Sequence, residues 1–205
     1  MEVAVLFVVA YLFGAIPFGL LVAKVKGVNI REHGSGNIGA TNVFRVVGKR
    51  WGVFTFTLDA LKGFIPAFLF PILGNVDPAM RNEYGVLFGL AAIIGHSFPV
   101  YLKFKGGKGV ATSAGMLLGI AWVAVAVGFV CWAVCMVLSR YVSLSSIVAA
   151  IAVAATGWLH SDYHIVIKVA LTALALLVVW LHRANIKRLL NGTENRFGKK
   201  KGAAS

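Results

Sequence analysis

Uncharged or nearly uncharged apolar stretches recur at 3–23, 84–102, 110–138, 142–159 and 165–181, with a more polar one at 51–73. A hydrocarbon core about 30 Å thick needs about 20 residues of apolar helix. Inside it every backbone N–H and C=O must find a partner, which a helix provides within its own segment. Such a chain folds as helices packed side by side. With 59% hydrophobic and 13% charged residues over 205 positions, little is left for a soluble unit. The expected fold class is all-α: a polytopic membrane helix bundle forming one domain over 1–195, with a basic, flexible tail at 196–205.

Basic residues orient the spans. Lys24, Lys26, Arg31, Arg45, Lys49 and Arg50 follow the first stretch, whereas the segment 74–83 carries only Arg81. The positive-inside rule puts the first group in the cytoplasm and the N-terminus outside. The stretch 110–138 has 29 residues; as one helix it would be about 44 Å long. Crossing once, it would send Arg183, Lys187, Arg188, Arg196 and Lys199–Lys201 outside, against every other basic cluster. A hairpin near Gly119 brings them in, giving seven transmembrane helices and a cytoplasmic C-terminus. Then 17 of the 20 Lys and Arg face the cytoplasm, the exceptions being Lys62, Arg81 and Lys168.

The net charge of +13 is read as this orientation signal and as contact with anionic lipid, not as a nucleic-acid surface. The start Met1-Glu2 has no basic residue ahead of the first apolar run, so that run is expected to stay as a membrane helix rather than act as a signal peptide. Cys131 and Cys135, four apart in an apolar run, read as packing residues. The seven acidic residues are scattered, and none stands at ligand spacing from a His; no metal and no cofactor is expected.

Against this background three polar islands stand out: 34–42 with Arg45, 103–109, and 182–185. Each combines glycines or small polar side chains with fixed positive charge, the ingredients of an anion-binding loop. In the first, Gly34, Gly36 and Gly39 satisfy G-x-G-x-x-G, but an apolar helix precedes it where a dinucleotide fold needs a strand. What survives is a glycine turn entering a helix N-terminus, favourable to phosphate. Ser35, Asn37, Thr41 and Asn42 can add side-chain bonds and Arg45 a bidentate pair. The alternative is an ordinary polar loop. In the second, Gly106-Gly107-Lys108-Gly109 follows Lys105, but Leu102 and Gly109 break the Walker spacing and exclude an NTPase. An anion nest and a merely basic loop both remain. In the third, His182 and Asn185 share a helix face; a binding pair and a structural His are both open. Glu194 reads as a partner for nearby Arg residues. Asp59 and Lys62, three apart in an apolar span, read as a structural ion pair. His96 and Ser97 can line the same pocket as the second island, though Pro99 also suggests a simple kink.

If the islands meet on one membrane face, the chain has a site for a polar anion and a lipid chain together. The competing function is a small transporter of an organic phosphate. Internal repeats and mid-membrane charge would favour it, and no convincing repeat is visible. A structural or assembly protein would leave the islands unexplained.

Together the islands resemble the bacterial integral-membrane acyl-phosphate:glycerol-3-phosphate acyltransferases. The resemblance is carried by residues 34–42 with Arg45, 95–112 and 182–194, and by Asp59-Ala-Leu-Lys-Gly63; it runs from near residue 11 to residue 194. It implies seven helices in the bacterial inner membrane and a cytoplasmic active site. It implies transfer of an acyl group from acyl phosphate to the 1-hydroxyl of glycerol-3-phosphate, giving lysophosphatidic acid and phosphate. It also implies coupling to the enzymes that make acyl phosphate and use lysophosphatidic acid. The resemblance carries catalytic roles to Ser35, Arg45, His182 and Asn185, glycerol-3-phosphate binding to Lys105, Gly106, Gly107, Lys108 and Gly109, and a structural role to Glu194. Gly34, Gly36, Asn37, Gly39, Thr41 and Asn42 complete the expected substrate contacts.

No histidine is followed by Asp five positions on; Ile38, Tyr101, Ile165, Val169 and Lys187 stand there, so a His-x₄-Asp base is absent. An acyl phosphate is a mixed anhydride with a good leaving group, for which positioning and charge neutralisation suffice. The donor's own phosphate, with a second pKa of about 6, can accept the hydroxyl proton. His182 as base and Ser35 as nucleophile are the rival assignments.

Overall fold

The computed structural model describes residues 2–198. The basic residues at 199–201 and the end of the expected tail therefore lie outside the described residues. Ten α-helices follow in order: α1 Val3–Gly14, α2 Phe18–Val25, α3 Ala40–Val46, α4 Lys49–Leu73, α5 Arg81–Ser97, α6 Val110–Ile120, α7 Trp122–Ser139, α8 Val142–Leu159, α9 Ile165–Leu181 and α10 Arg183–Leu190. No strand occurs among the described residues.

Five units are long and apolar enough to cross a bilayer: Val3–Val25, Lys49–Leu73, Pro78–Leu102, Trp122–Ser139 and Val142–Leu159. The pair α9 and α10, bent by 56°, makes a sixth if taken as one span. The stretch 110–138 does divide near Gly119, at Ala121, where φ −148° and ψ 55° leave the helical region. The resulting α6 has only 11 residues. Large apolar side chains such as Phe129, Val137, Leu138 and Leu176 face outward, as lipid allows. The chain is an integral membrane protein.

Packing relies on glycine where helices nearly touch. α4 lies along α6, and α1 along α5. A Cβ on Gly63 would fall on the Thr112 carbonyl, and one on Gly115 on the Ala60 backbone. Small residues are what let helix backbones approach in lipid, where burial of apolar surface gives no net drive. One apolar cluster joins α5, α6, α8 and α9 through Ile93, Met116, Leu117, Val153, Leu171 and Leu174. A separate one, Val22, Ala23, Ile30, Ile38 and Val43, seats the first polar island on α2 and α3.

Candidate active site

The first island is a self-tied loop. Gly34 and Gly36 adopt φ of 64° and 70°, which L side chains rarely tolerate. Asn42, 2% exposed, binds the loop from inside: its Oδ1 accepts the Ser35 N–H at 2.9 Å. Its Nδ2 donates to the carbonyls of His33 and Asn37 at 3.0 and 2.9 Å. Asn37 Oδ1 accepts the Gly39 N–H at 2.7 Å, and the Gly36 N–H goes to the His33 carbonyl. The N–H groups of Ser35, Gly36 and Gly39 are therefore engaged within the loop. Here they and the Asn42 amide shape the turn, and Ser35, Thr41 and Arg45 present side chains.

The second island is tied to the main chain in the same way. The N–H groups of Gly106 and Gly107 donate to the carbonyls of Ser97 and His96 at 3.1 and 3.0 Å. Both directions are fixed by the tight return of the chain from α5, with Lys103 and Phe104 at φ 52° and 61°. The carbonyl of Lys105 accepts from Arg31 Nη2 at 2.7 Å, which joins the first two islands. Lys105 itself is exposed. Gly109 caps α6, whose first N–H groups lack partners in their own helix.

At the third island, the bend between α9 and α10 places His182 and Asn185 in the interior, 3% and 5% exposed. His182 Nδ1 lies 2.8 Å from the Val178 carbonyl. A carbonyl only accepts, so Nδ1 carries the hydrogen and Nε2 of the neutral ring is an acceptor. Asn185 Oδ1 accepts from Lys108 Nζ, and its Nδ2 donates to Glu194 Oε1 at 2.7 Å. Glu194 further accepts from Ser143 at 2.9 Å and from Arg188 Nε at 2.7 Å. Burial works to raise the Glu194 carboxyl, but these three bonds outweigh it and hold the group below its ordinary range. Burial, with Arg188 adding and Glu194 opposing, pulls Lys108 down to about 8.

The three islands face one cavity of about 460 Å³. Ser35, Asn37, Gly39, Thr41, Asn42 and Arg45 line it from the first; Lys108 and Gly109 from the second; His182 and Asn185 from the third. Gly34, Gly36, Lys105, Gly106 and Gly107 are not on its wall. Ser143, Ser146, Trp132, Asn195 and Phe197 are, and sequence reasoning missed them. The signal for Ser143 was a hydroxyl run, Ser143, Ser145 and Ser146, in an otherwise apolar span. An apolar cavity of about 280 Å³ between α6, α7, α8 and α9 adjoins the first, and Phe56, Val110, Trp132 and Ser146 line both.

A family model described as "Glycerol-3-phosphate acyltransferase" matches residues 4–192. The chain belongs to the glycerol-3-phosphate acyltransferase family. Relatives of that name include one from Macrococcus caseolyticus, 45% identical over 98% of this chain and 100% of its own, and one from Aquifex aeolicus, 42% identical over 96% and 100%. Two crystal structures of PlsY (YgiH), described as an integral membrane glycerol 3-phosphate acyltransferase, superpose with TM-scores of 0.87 and 0.85 at 41% identity. They cover 96% of this chain and 96% and 95% of theirs; one is a glycerol 3-phosphate form and the other a lysophosphatidic acid form. The match to the acyltransferase family spans the first two islands and all of α10.

Proposed function

We propose that the protein transfers a fatty acyl group from acyl phosphate to the 1-hydroxyl of glycerol-3-phosphate, releasing lysophosphatidic acid and phosphate. The observation that carries this reading is the shared wall between a cavity edged by Arg45 and Lys108 and one that is apolar apart from Ser113 and Ser146. An acyl phosphate has the same two parts. Relatives at 45% identity carry the acyltransferase name, and a glycerol 3-phosphate form and a lysophosphatidic acid form exist for structures of the same fold.

Arg45, Lys108 and the first N–H groups of α6 offset the mutual repulsion of two phosphates held close together. His182 Nε2 accepts the substrate hydroxyl and aims its oxygen at the acyl carbon. Asn185 fixes the direction of Lys108. The hydroxyl oxygen bonds to the acyl carbon, the carbon–oxygen bond to phosphate breaks, and the departing phosphate takes the proton. Ser35, at the rim, donates to the developing oxyanion. No covalent enzyme intermediate is required.

The basic-residue distribution supports a reading with seven crossings, the short α6 as the fourth, an N-terminus outside and a catalytic face on the cytoplasmic side of the inner membrane. The enzyme then draws acyl phosphate from, and returns lysophosphatidic acid to, enzymes working at that same face. The decisive assay supplies purified protein with acyl phosphate and labelled glycerol-3-phosphate. Labelled lysophosphatidic acid supports the reading; vesicle uptake of the label without product would replace it by transport. An acyl group found on Ser35 by mass spectrometry with donor alone would overturn direct transfer.

A further inference from the structure

Beneath the cavity floor lies a buried group of charges that the acyl-transfer chemistry above does not use. Lys62 Nζ is 2.9 Å from Asp59 Oδ1, off the hydrogen-bonding direction, and donates to the Ile16 carbonyl at the break between α1 and α2, also at 2.9 Å. These two charges already neutralise one another. His96 nevertheless joins them from the end of α5, its Nδ1 3.7 Å from the same Asp59 oxygen, in ion-pair reach but not hydrogen-bonded. The three side chains are 1%, 3% and 6% exposed. Burying an imidazole beside a pair that does not need it costs free energy unless the ring has another task.

Its other edge shows the task. A Cβ on Gly107 would land on Nε2 of His96, so the ring and the glycine loop lie in direct contact and only glycine fits there. The main chain of the same residue accepts the Gly107 N–H, and that of Ser97 accepts the Gly106 N–H. The next residue after Gly107 is Lys108, whose ammonium meets Asn185. His96 and Asp59 both reach the cavity wall. An unbroken set of contacts therefore runs from the α1–α2 break, through Lys62, Asp59 and His96, to the turn that aims Lys108.

We propose that His96, oriented by Asp59, is a positioning residue: its ring is the rest against which Gly106 and Gly107 fold, and it fixes where Lys108 meets the glycerol-3-phosphate phosphate. This inference rests on the acyl-transfer reading. Asp59 faces the Nδ1 edge of the ring and Gly107 its Nε2 edge. The arrangement supports a binding group one step removed from the substrate, as second-layer partners do at metal sites.

The test uses the full chain in detergent with His96→Ala, His96→Asn, Gly107→Ala and the double variant. His96→Ala is expected to lower kcat/KM for glycerol-3-phosphate by about 10- to 100-fold, the loss typical of a displaced positioning group. The KM for acyl phosphate stays within about twofold of wild type, because uniform damage to the fold would raise both. His96→Asn, whose amide reaches the place of Nδ1 but not the Nε2 edge that Gly107 meets, gives a loss like that of His96→Ala. Gly107→Ala pushes on the same ring and gives a loss like that of His96→Ala, and the double variant is no worse than either single. Additive losses, an unchanged KM for glycerol-3-phosphate, or equal rises for both substrates would each overturn the proposal. Should His96→Ala fail to give a monodisperse protein, His96→Asn and Gly107→Ala decide by the same criteria. If wild-type protein makes no lysophosphatidic acid, the acyl-transfer reading fails on its own. Calorimetry with inorganic phosphate then decides the role of His96: weakened binding in both single variants supports it, and unchanged binding refutes it.

Discussion

Raising the pH removes the charge of Lys108 before that of any ordinary lysine. Held at about 8 by burial, its ammonium is about 90% protonated at pH 7 and about 10% at pH 9. The sign is set by the lowered value: the cation is present below pH 8 and lost as pH rises through it. Since the protonated form is the one that attracts a phosphate dianion, kcat/KM for glycerol-3-phosphate should fall about tenfold over those two units, because that parameter reports the free enzyme. Bound substrate reverses the shift. A unit charge pair 4 Å apart is worth about 4 kcal/mol at an effective dielectric of 20, equivalent to about three pKa units. At saturating glycerol-3-phosphate the basic limb therefore moves beyond the working range and kcat stays flat to pH 9. Initial rates of lysophosphatidic acid formation between pH 6 and 10, corrected for spontaneous hydrolysis of the donor, measure both parameters. Lys108→Arg, which does not titrate there, should remove the limb from kcat/KM. A limb near pH 8 that survives in Lys108→Arg, or a flat wild-type profile, refutes the assignment of Lys108 as the phosphate cation.

Glu194→Gln deprives Ser143, Asn185 and Arg188 of a shared carboxylate and should cost about 2–3 kcal/mol, read as a lower unfolding temperature in detergent. Because the folded-state pKa is depressed, the wild-type margin is complete above the ordinary carboxylate range and shrinks as pH falls through the folded value. Gly115→Ala drives a methyl into the Ala60 backbone and should cost about 1–3 kcal/mol, whereas Gly119→Ala meets Phe68 Cβ at 3.4 Å and should leave the unfolding temperature unchanged. Among the described residues no three His, Cys, Asp or Glu side chains are grouped to hold a metal. Initial rates in EDTA should equal those without it, and loss restored by one particular divalent ion would contradict this.

The spans were readable because lipid imposes the same demand on every residue of a crossing helix, so a local count of apolar residues suffices. The division of 110–138 was readable from charge parity and its position to within two residues, Ala121 breaking the helix just past Gly119. The convergence of Ser35, Lys108 and Asn185 on one cavity was legible as a pattern of glycine and positive charge. The job of each glycine was not. Whether an N–H points at a ligand or at a carbonyl depends on backbone direction, and those of Gly106 and Gly107 turn to residues 97 and 96. Asn42 likewise looked like a ligand because an amide has four bonding directions, and only the folded loop shows its oxygen turned to the Ser35 N–H and its nitrogen to main-chain carbonyls. Glu194 was read as a partner for arginine, which it is, but its bonds to Ser143 and Asn185 span 51 and 9 residues and had no local trace.

The segment after α10 crosses back to close the site: Phe197 donates its N–H to the Arg140 carbonyl at 2.8 Å and packs its ring at a tilt against Phe44, while Glu194 ties Asn185 in place. Every apolar helix precedes it in the chain. During synthesis the bilayer can thus receive all the crossing segments while the catalytic chamber is still unsealed on one side. Insertion and completion of the cavity become separate events, the second waiting on a segment made after α9 and α10.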